Sequence, residues 1–238
     1  AVRAGAIGAL TPSVVRLTVA AVGVWVASLA ALTVSQVQVW RDTDTLWRYA
    51  IEVNPECSIC HSALGTYLVN RGYTASGLGH LEQAVALRQD RIPHASLGLA
   101  FLNTGRLPEA VEQLRLALER DPDDVGARNN LAVALLRQGT PEEAMAHLAH
   151  VIRRDPEHVG GHMNLGAALT SLGRPAEALD HVRRAIELSP ESAFPHFELA
   201  RAYMALGWTD AARQEYEILR RLDPRLASAF SRLVNPAD

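Results

Sequence analysis

Two hydrophobic patterns divide this chain of 238 residues. From Leu17 to Trp40 no residue is charged, and Leu17–Val34 is almost wholly apolar or small. After Trp40 the pattern changes to short stretches rich in Leu and Ala, broken at regular intervals by Gly and Pro. As a helix, the first pattern would run for about 36 Å at 1.5 Å per residue. That exceeds the ~30 Å hydrocarbon core of a bilayer, so it predicts one transmembrane helix over 13–40. Thr11-Pro12-Ser13 reads as its start, Arg16 can snorkel, and Trp40 suits an interface. A cleavable signal ending near Ser28-Leu29-Ala30 would have an apolar region too long and too late. A buried helix of this length would normally carry a charge. Residues 1–12 read as the tail of an upstream segment, and a chain opening on Ala1 is expected to be a fragment or processed product. Arg3 and Arg16 on one flank balance Arg41 and Arg48 on the other, so charge assigns no orientation.

The second pattern is an internal repeat. Gly72, Gly105, Gly139, Gly173 and Gly207 recur at spacings of 33, 34, 34 and 34, and Pro122, Pro156, Pro190 and Pro224 at 34. Leu64-Gly65, Leu97-Gly98, Leu131-Ala132, Leu165-Gly166 and Leu199-Ala200 keep the same period, as do Ala110, Ala144, Ala178 and Ala212. Each mark has a mechanical reason. The Gly closes a first helix in a left-handed conformation. The small residues let paired helices approach, and Asp-Pro ends a second helix. Together these marks resemble the tetratricopeptide repeat. The resemblance implies an all-α solenoid, a right-handed superhelix of helix-turn-helix units, with five repeats over 58–226 (58–90, 91–124, 125–158, 159–192, 193–226).

The first unit departs from the rest. It is one residue short, holds Gln89 where Pro is expected and Gly77 where Ala is expected, so its second helix is expected to pack least firmly. Residues 41–57 read as a half-repeat junction, with Ala50 and Pro55 in the usual places and the transmembrane helix as its first-helix partner. Residues 227–238 read as a capping segment.

Composition sharpens this picture in two respects. Aromatic residues are 5% against 48% hydrophobic, which suits Ala and Leu packing between helices. There is no Lys among the 23 basic residues, a bias expected of a GC-rich bacterial genome. Beyond residue 40, 21 Arg face 26 Asp and Glu with no basic stripe, which argues against nucleic acid as a partner.

The family resemblance implies a concave surface, lined by the first helices, that binds protein or peptide. The residues expected there are Asn103, Asn130, Arg137, Met163, Asn164, Phe194, Phe197, Arg201 and Met204. Asn130 and Asn164 stand one period apart, and a side-chain amide can pair with any peptide backbone. Arg137 and Arg201 could attract a carboxylate. Phe194 and Phe197 with Met163 and Met204 would form an apolar patch, or part of the core.

No nucleophile elbow, Walker loop, zinc-protease or dinucleotide signature is present, so no catalytic residue and no metal site are expected. Asp121-Pro122-Asp123-Asp124 lacks oxygen ligands further on and is a repeat junction. His61, His94, Arg128, His162 and His196 share one place and read as repeat architecture. Cys57-Ser58-Ile59-Cys60-His61 is a literal C-x-x-C-H, leaving three readings open: c-type haem attachment, a local or redox-active disulfide, or plain thiols.

The run Trp40-Arg41-Asp42, Leu46-Trp47 and Asn54-Pro55 directly after an apolar span resembles the junction in bacterial relatives of the transmembrane and tetratricopeptide-repeat O-mannosyltransferases. That resemblance implies repeats on the periplasmic side of the inner membrane and a catalytic core upstream of Ala1. Two functions follow as expectations: the protein-positioning arm of a membrane glycosyltransferase, or a single-span envelope scaffold. A haem-bearing redox module is a third.

Overall fold

A computed structural model describes residues 42–87 and 91–234, together with Val24, Trp25 and Ser28. The tail 1–12 and nearly all of the segment 13–40 lie outside the described residues. Among the described residues no helix is long and apolar enough to cross a membrane.

The described chain is all helix. α1 (Thr43–Val53) precedes five hairpins and a last helix. The hairpins are α2 (Ser58–Asn70) with α3 (Thr74–Leu87), α4 (Arg91–Asn103) with α5 (Leu107–Arg120), α6 (Val125–Gln138) with α7 (Pro141–Arg154), α8 (Val159–Ser171) with α9 (Pro175–Leu188), and α10 (Ala193–Ala205) with α11 (Thr209–Leu222). α12 (Pro224–Val234) follows.

Local chemistry sets these boundaries. Each first helix of a hairpin ends at a glycine with φ between 71° and 87°. The residue after that glycine donates its N–H back to the last turn, as from Arg106 to Phe101 O (2.9 Å) and from Thr140 to Leu135 O (3.0 Å). Pro108, Pro141 and Pro175 stand in the first turns of α5, α7 and α9, where a missing N–H costs nothing. Asp42 caps α1 and Asp124 caps α6 through their carboxylates, whereas His158 caps α8 through Nδ1.

Two layers result. The first helices α2, α4, α6, α8, α10 and α12 pack side by side, each on the next. The second helices α3, α5, α7, α9 and α11 pack on the first helices that flank them; their own backbones stand further apart, bridged at the surface by Arg115 of α5 to Glu143 of α7 at 2.6 Å. A touching row beside a separated row bends the stack toward the touching one, so the first helices form the inner, concave face. Between the layers lies the core: Leu131, Ala132, Leu135, Ala144, Leu148 and Val151 of the third hairpin are all at most 1% exposed. Burying each such Leu is worth about 1.5–3 kcal/mol.

The first hairpin corrects an expectation. Leu81 and Ala84 of α3 are 0% exposed, so that helix is fully seated rather than loose. A Cβ placed on Gly77 would lie 2.7 Å from Gly65 O, showing that the two backbones touch directly.

Candidate functional site

Helical spacing assigns the faces of each first helix. The Leu and small residues point to the second helix and are buried. The opposite stripe, at intervals of three and four, faces the concave surface. On it lie Asn70, Asn103, Asn130, Arg137, Asn164, Ser171, Phe194 and Arg201. The stripe is apolar at its ends, where Ile59 is 54% and Phe194 60% exposed. In the middle it is bare: Gly126 and Gly160 stand in the places of Ile59 and Phe194. A Cβ on Gly126 would meet only Asp124 Oδ1 at 3.4 Å, and one on Gly160 would be in ordinary contact with the His158 ring (3.4 Å to Cε1) and with Asn129 Nδ2 (3.8 Å).

The two asparagines expected to face a peptide differ in what they already hold. Asn164 is 9% exposed and donates from Nδ2 to Asn129 Oδ1 at 3.1 Å, across from α8 to α6. Asn130 is half-buried. Asn129 escaped the sequence reading because its pair lies 35 residues away, not 34. The same offset recurs where Arg137 Nη1 donates to Leu102 O at 2.8 Å, satisfying a terminal carbonyl of α4. Arg201 is held by Glu198 at 2.7 Å. Both arginines are thus engaged within the solenoid. Burial raises the pKa of Glu198, which the Arg201 guanidinium opposes.

The apolar residues divide. Phe194 projects from the concave face. Phe197 sets its ring edge-on to Phe230 of α12 (centroids 5.8 Å, 80°), and Met204 packs in the same apolar seam with Tyr216. Those two serve the end of the stack, while Met163 is half-buried. Asn103 is exposed at the rim of a crevice between α2 and α4 lined by Thr66, Val69 and Leu99.

A buried polar column runs through all five hairpins. His61, His94, His162 and His196 are 5–7% exposed. Each reaches the second helix through Nδ1: to His80 (3.0 Å), Gln113 (2.8 Å), His181 (3.3 Å) and Glu215 (2.7 Å). Nε2 of His61 and His162 meets the carbonyls of Pro55 and Pro156, both at 3.1 Å. Arg128 takes the same place in the third hairpin, bonding Pro122 O and reaching His147, but its buried Nε has no partner among the described residues. Burial first, then the neighbouring His61 or His162, lowers the pKa of His80 and His181. Burial and then Arg128 lower that of His147.

Cys57 and Cys60 are joined by a disulfide. His61 has both ring nitrogens committed to the column and is 7% exposed. The arrangement does not fit c-type haem: the sulfurs bond each other, and the imidazole faces inward. His150 lies 4.0 Å from Asp123 while His147 faces Arg128. Among the described residues no three His, Cys, Asp or Glu side chains gather as metal ligands.

Comparison with solved structures finds the same fold. The chain is 18% identical to YrrB, described as a TPR protein with an unusual peptide-binding site, at a TM-score of 0.59 over 78% of this chain and 97% of that one. It is 22% identical to TTC0263 of Thermus thermophilus (TM-score 0.63, 74% and 97% covered) and 21% identical to Pseudomonas aeruginosa PilF (0.63, 77% and 94%). Among curated proteins, none matches the sequence. Family models described as tetratricopeptide repeat match residues 62–125, 95–150 and 169–234. With more than half of its length matched in this way, the chain belongs to the tetratricopeptide-repeat family.

Proposed function

We propose that the concave face binds an extended segment of a partner protein, gripped through its backbone in the middle and through apolar side chains at the ends. The single observation that carries this reading is the bare centre. Gly126 and Gly160 leave room for a peptide backbone to approach, beside the amides of Asn129 and Asn130, while Ile59 and Phe194 stand exposed at either end. That YrrB is described as having a peptide-binding site supports the reading as far as shared fold reaches. The test is selection of binders from a random peptide library, followed by fluorescence anisotropy. Gly160→Val and Asn130→Ala should each weaken the selected peptides at least tenfold. Wild-type affinity in both variants would remove the groove from the reading.

On the same reading the repeats are the protein-positioning arm of a bacterial membrane glycosyltransferase, anchored in the inner membrane by residues 13–40 with the repeats in the periplasm. Three features support it: the uncharged run Leu17–Trp40, the junction residues, and a disulfide of the sort that persists in oxidising compartments. α1 begins at Thr43, so hardly any linker separates that run from the solenoid. Carbonate extraction and protease accessibility in spheroplasts test the anchor and the side. Release of the full chain by carbonate would overturn the anchor. A reading frame upstream of Ala1 with many further spans would favour the glycosyltransferase arm, and a nearby start codon the single-span scaffold.

A further inference from the structure

The start of α2 carries chemistry that neither the groove nor the stack uses. Cys57 is the N-cap of this helix, and its Sγ accepts the backbone N–H of Cys60 at 3.2 Å. Cys57 is half-buried, whereas Cys60 is 8% exposed and turned into the packed face. Cys57, the less buried of the two, is therefore the side from which the bridge is approached.

The bridge is not what holds the helix. It joins residues three apart, and cross-links over the shortest loops constrain the unfolded chain least. Independent bonds pin the same turn. Ser58 Oγ donates to Ala84 O of α3 at 3.0 Å, and His61 is fixed between Pro55 O and His80. Opening the disulfide would leave both in place.

We propose that Cys57–Cys60 is an exchangeable disulfide, reduced by a protein dithiol through attack on Cys57. A thiolate of the dithiol attacks Cys57 Sγ. The bond to Cys60 Sγ breaks, its electron pair stays on Cys60, and that sulfur takes a proton. The second thiol of the reductant gives up its proton and attacks its own sulfur in the mixed disulfide, releasing Cys57 as a thiolate. The reductant ends as a disulfide and this chain has gained two electrons. The released sulfur lies at the N-terminus of α2, where the first-turn N–H groups and the helix dipole favour negative charge. Exposed Glu56 is the acidic neighbour that works against this. Such an arrangement makes the first hairpin a thiol–disulfide exchange site on a rigid support, independent of whether the groove binds peptide.

The test uses the intact protein and two variants. Wild-type protein is treated with dithiothreitol under native conditions, alkylated and weighed, with circular dichroism recorded alongside. Two new alkylated thiols at unchanged helicity are expected. Iodoacetamide alkylation at pH 7 is then timed for Cys60→Ser, which leaves Cys57, and Cys57→Ser, which leaves Cys60. Cys57 should react at least tenfold faster. Reduction that requires denaturant, or equal or reversed rates, would overturn the proposal. Peptide binding in the groove variants has no bearing on either result.

Discussion

The first and fourth hairpins share their polar joint and differ in their apolar one. Both bring two imidazoles together at a tilt, His61 with His80 (41° between planes) and His162 with His181 (34°). In the fourth, the helices are spaced by ordinary side chains: a Cβ on Gly166 would run into the Val182 side chain, and Ala178 O stays 3.5 Å away. In the first, Gly65 and Gly77 bring backbone against backbone: a Cβ added to either would lie 2.7–2.8 Å from the carbonyl oxygen of the other. Departure from the repeat's Ala at residue 77 is thus compensated by closer approach. A residue that looks like a weak point in a linear pattern is, in the folded hairpin, the condition for its fit.

That comparison can be broken or sharpened at several points. The largest effect is expected from Leu81→Ala, which empties a fully buried place in the supposedly weak hairpin. Urea denaturation should show a loss of about 3 kcal/mol. A cost near zero would mean that the first hairpin is not seated as described.

Next comes Gly77→Ala, which restores the residue typical of the other units. Alanine favours the helix by about 1 kcal/mol, but overpacking against backbone costs roughly 1–3 kcal/mol. The Gly65 carbonyl cannot rotate away, so a net loss is expected, with faster amide exchange across α2 and α3. A stabilised variant would refute the backbone contact.

A smaller change should follow pH. The folded-state pKa of His80 and His181 is lowered, so the native state binds fewer protons than the unfolded chain. The stabilisation is full above the ordinary imidazole value near 6.5 and is lost as pH falls below it. The charged groups facing His80 include Arg48 and His61, and those facing His181 include Asp180 and His162. Thermal melts should fall between pH 7.5 and 5. The drop should be smaller in the double variant His80→Gln with His181→Gln, because Gln113 already fills this place in the second hairpin. An equal drop in both proteins would clear the column of any part in it.

The smallest effect, and opposite in sign to Gly77→Ala, is expected at Gly79, two residues further along α3. Nothing lies within 4 Å of a Cβ there. Gly79→Ala should stabilise by about 0.5–1 kcal/mol, read as a higher urea midpoint.

Much of this architecture was legible in the chain because its causes are local. A glycine that needs positive φ, a proline that stops a helix and a small residue on a buried face act at the same place in every unit, so they show up as a period. The second member of the polar column is equally legible: His80, Gln113, His147, His181 and Glu215 keep the repeat spacing. Contacts along the groove are less legible. Asn130 and Asn164 are equivalent by period, but equivalent residues on neighbouring helices do not meet. The bonds Asn164–Asn129 and Arg137–Leu102 both span 35 residues. Phe197 and Met204 likewise look like groove residues by spacing and turn out to belong to the seam with α12.

By itself, then, the sequence determined the helices, their order, their turns and the faces they bury, since each depends on residues within one unit. Only the tertiary structure decided which side chains remain for a partner. It set the one-residue stagger that couples Asn129 to Asn164 and ties Arg137 to the end of α4. It also set the closeness of Gly65 to Gly77, and the inward aim of His61 that takes it away from iron chemistry. The physical reason is the same in each case. Periodicity records which residues are alike, whereas contact depends on how two helices shift and lean when they pack, and that is settled by side chains from both at once.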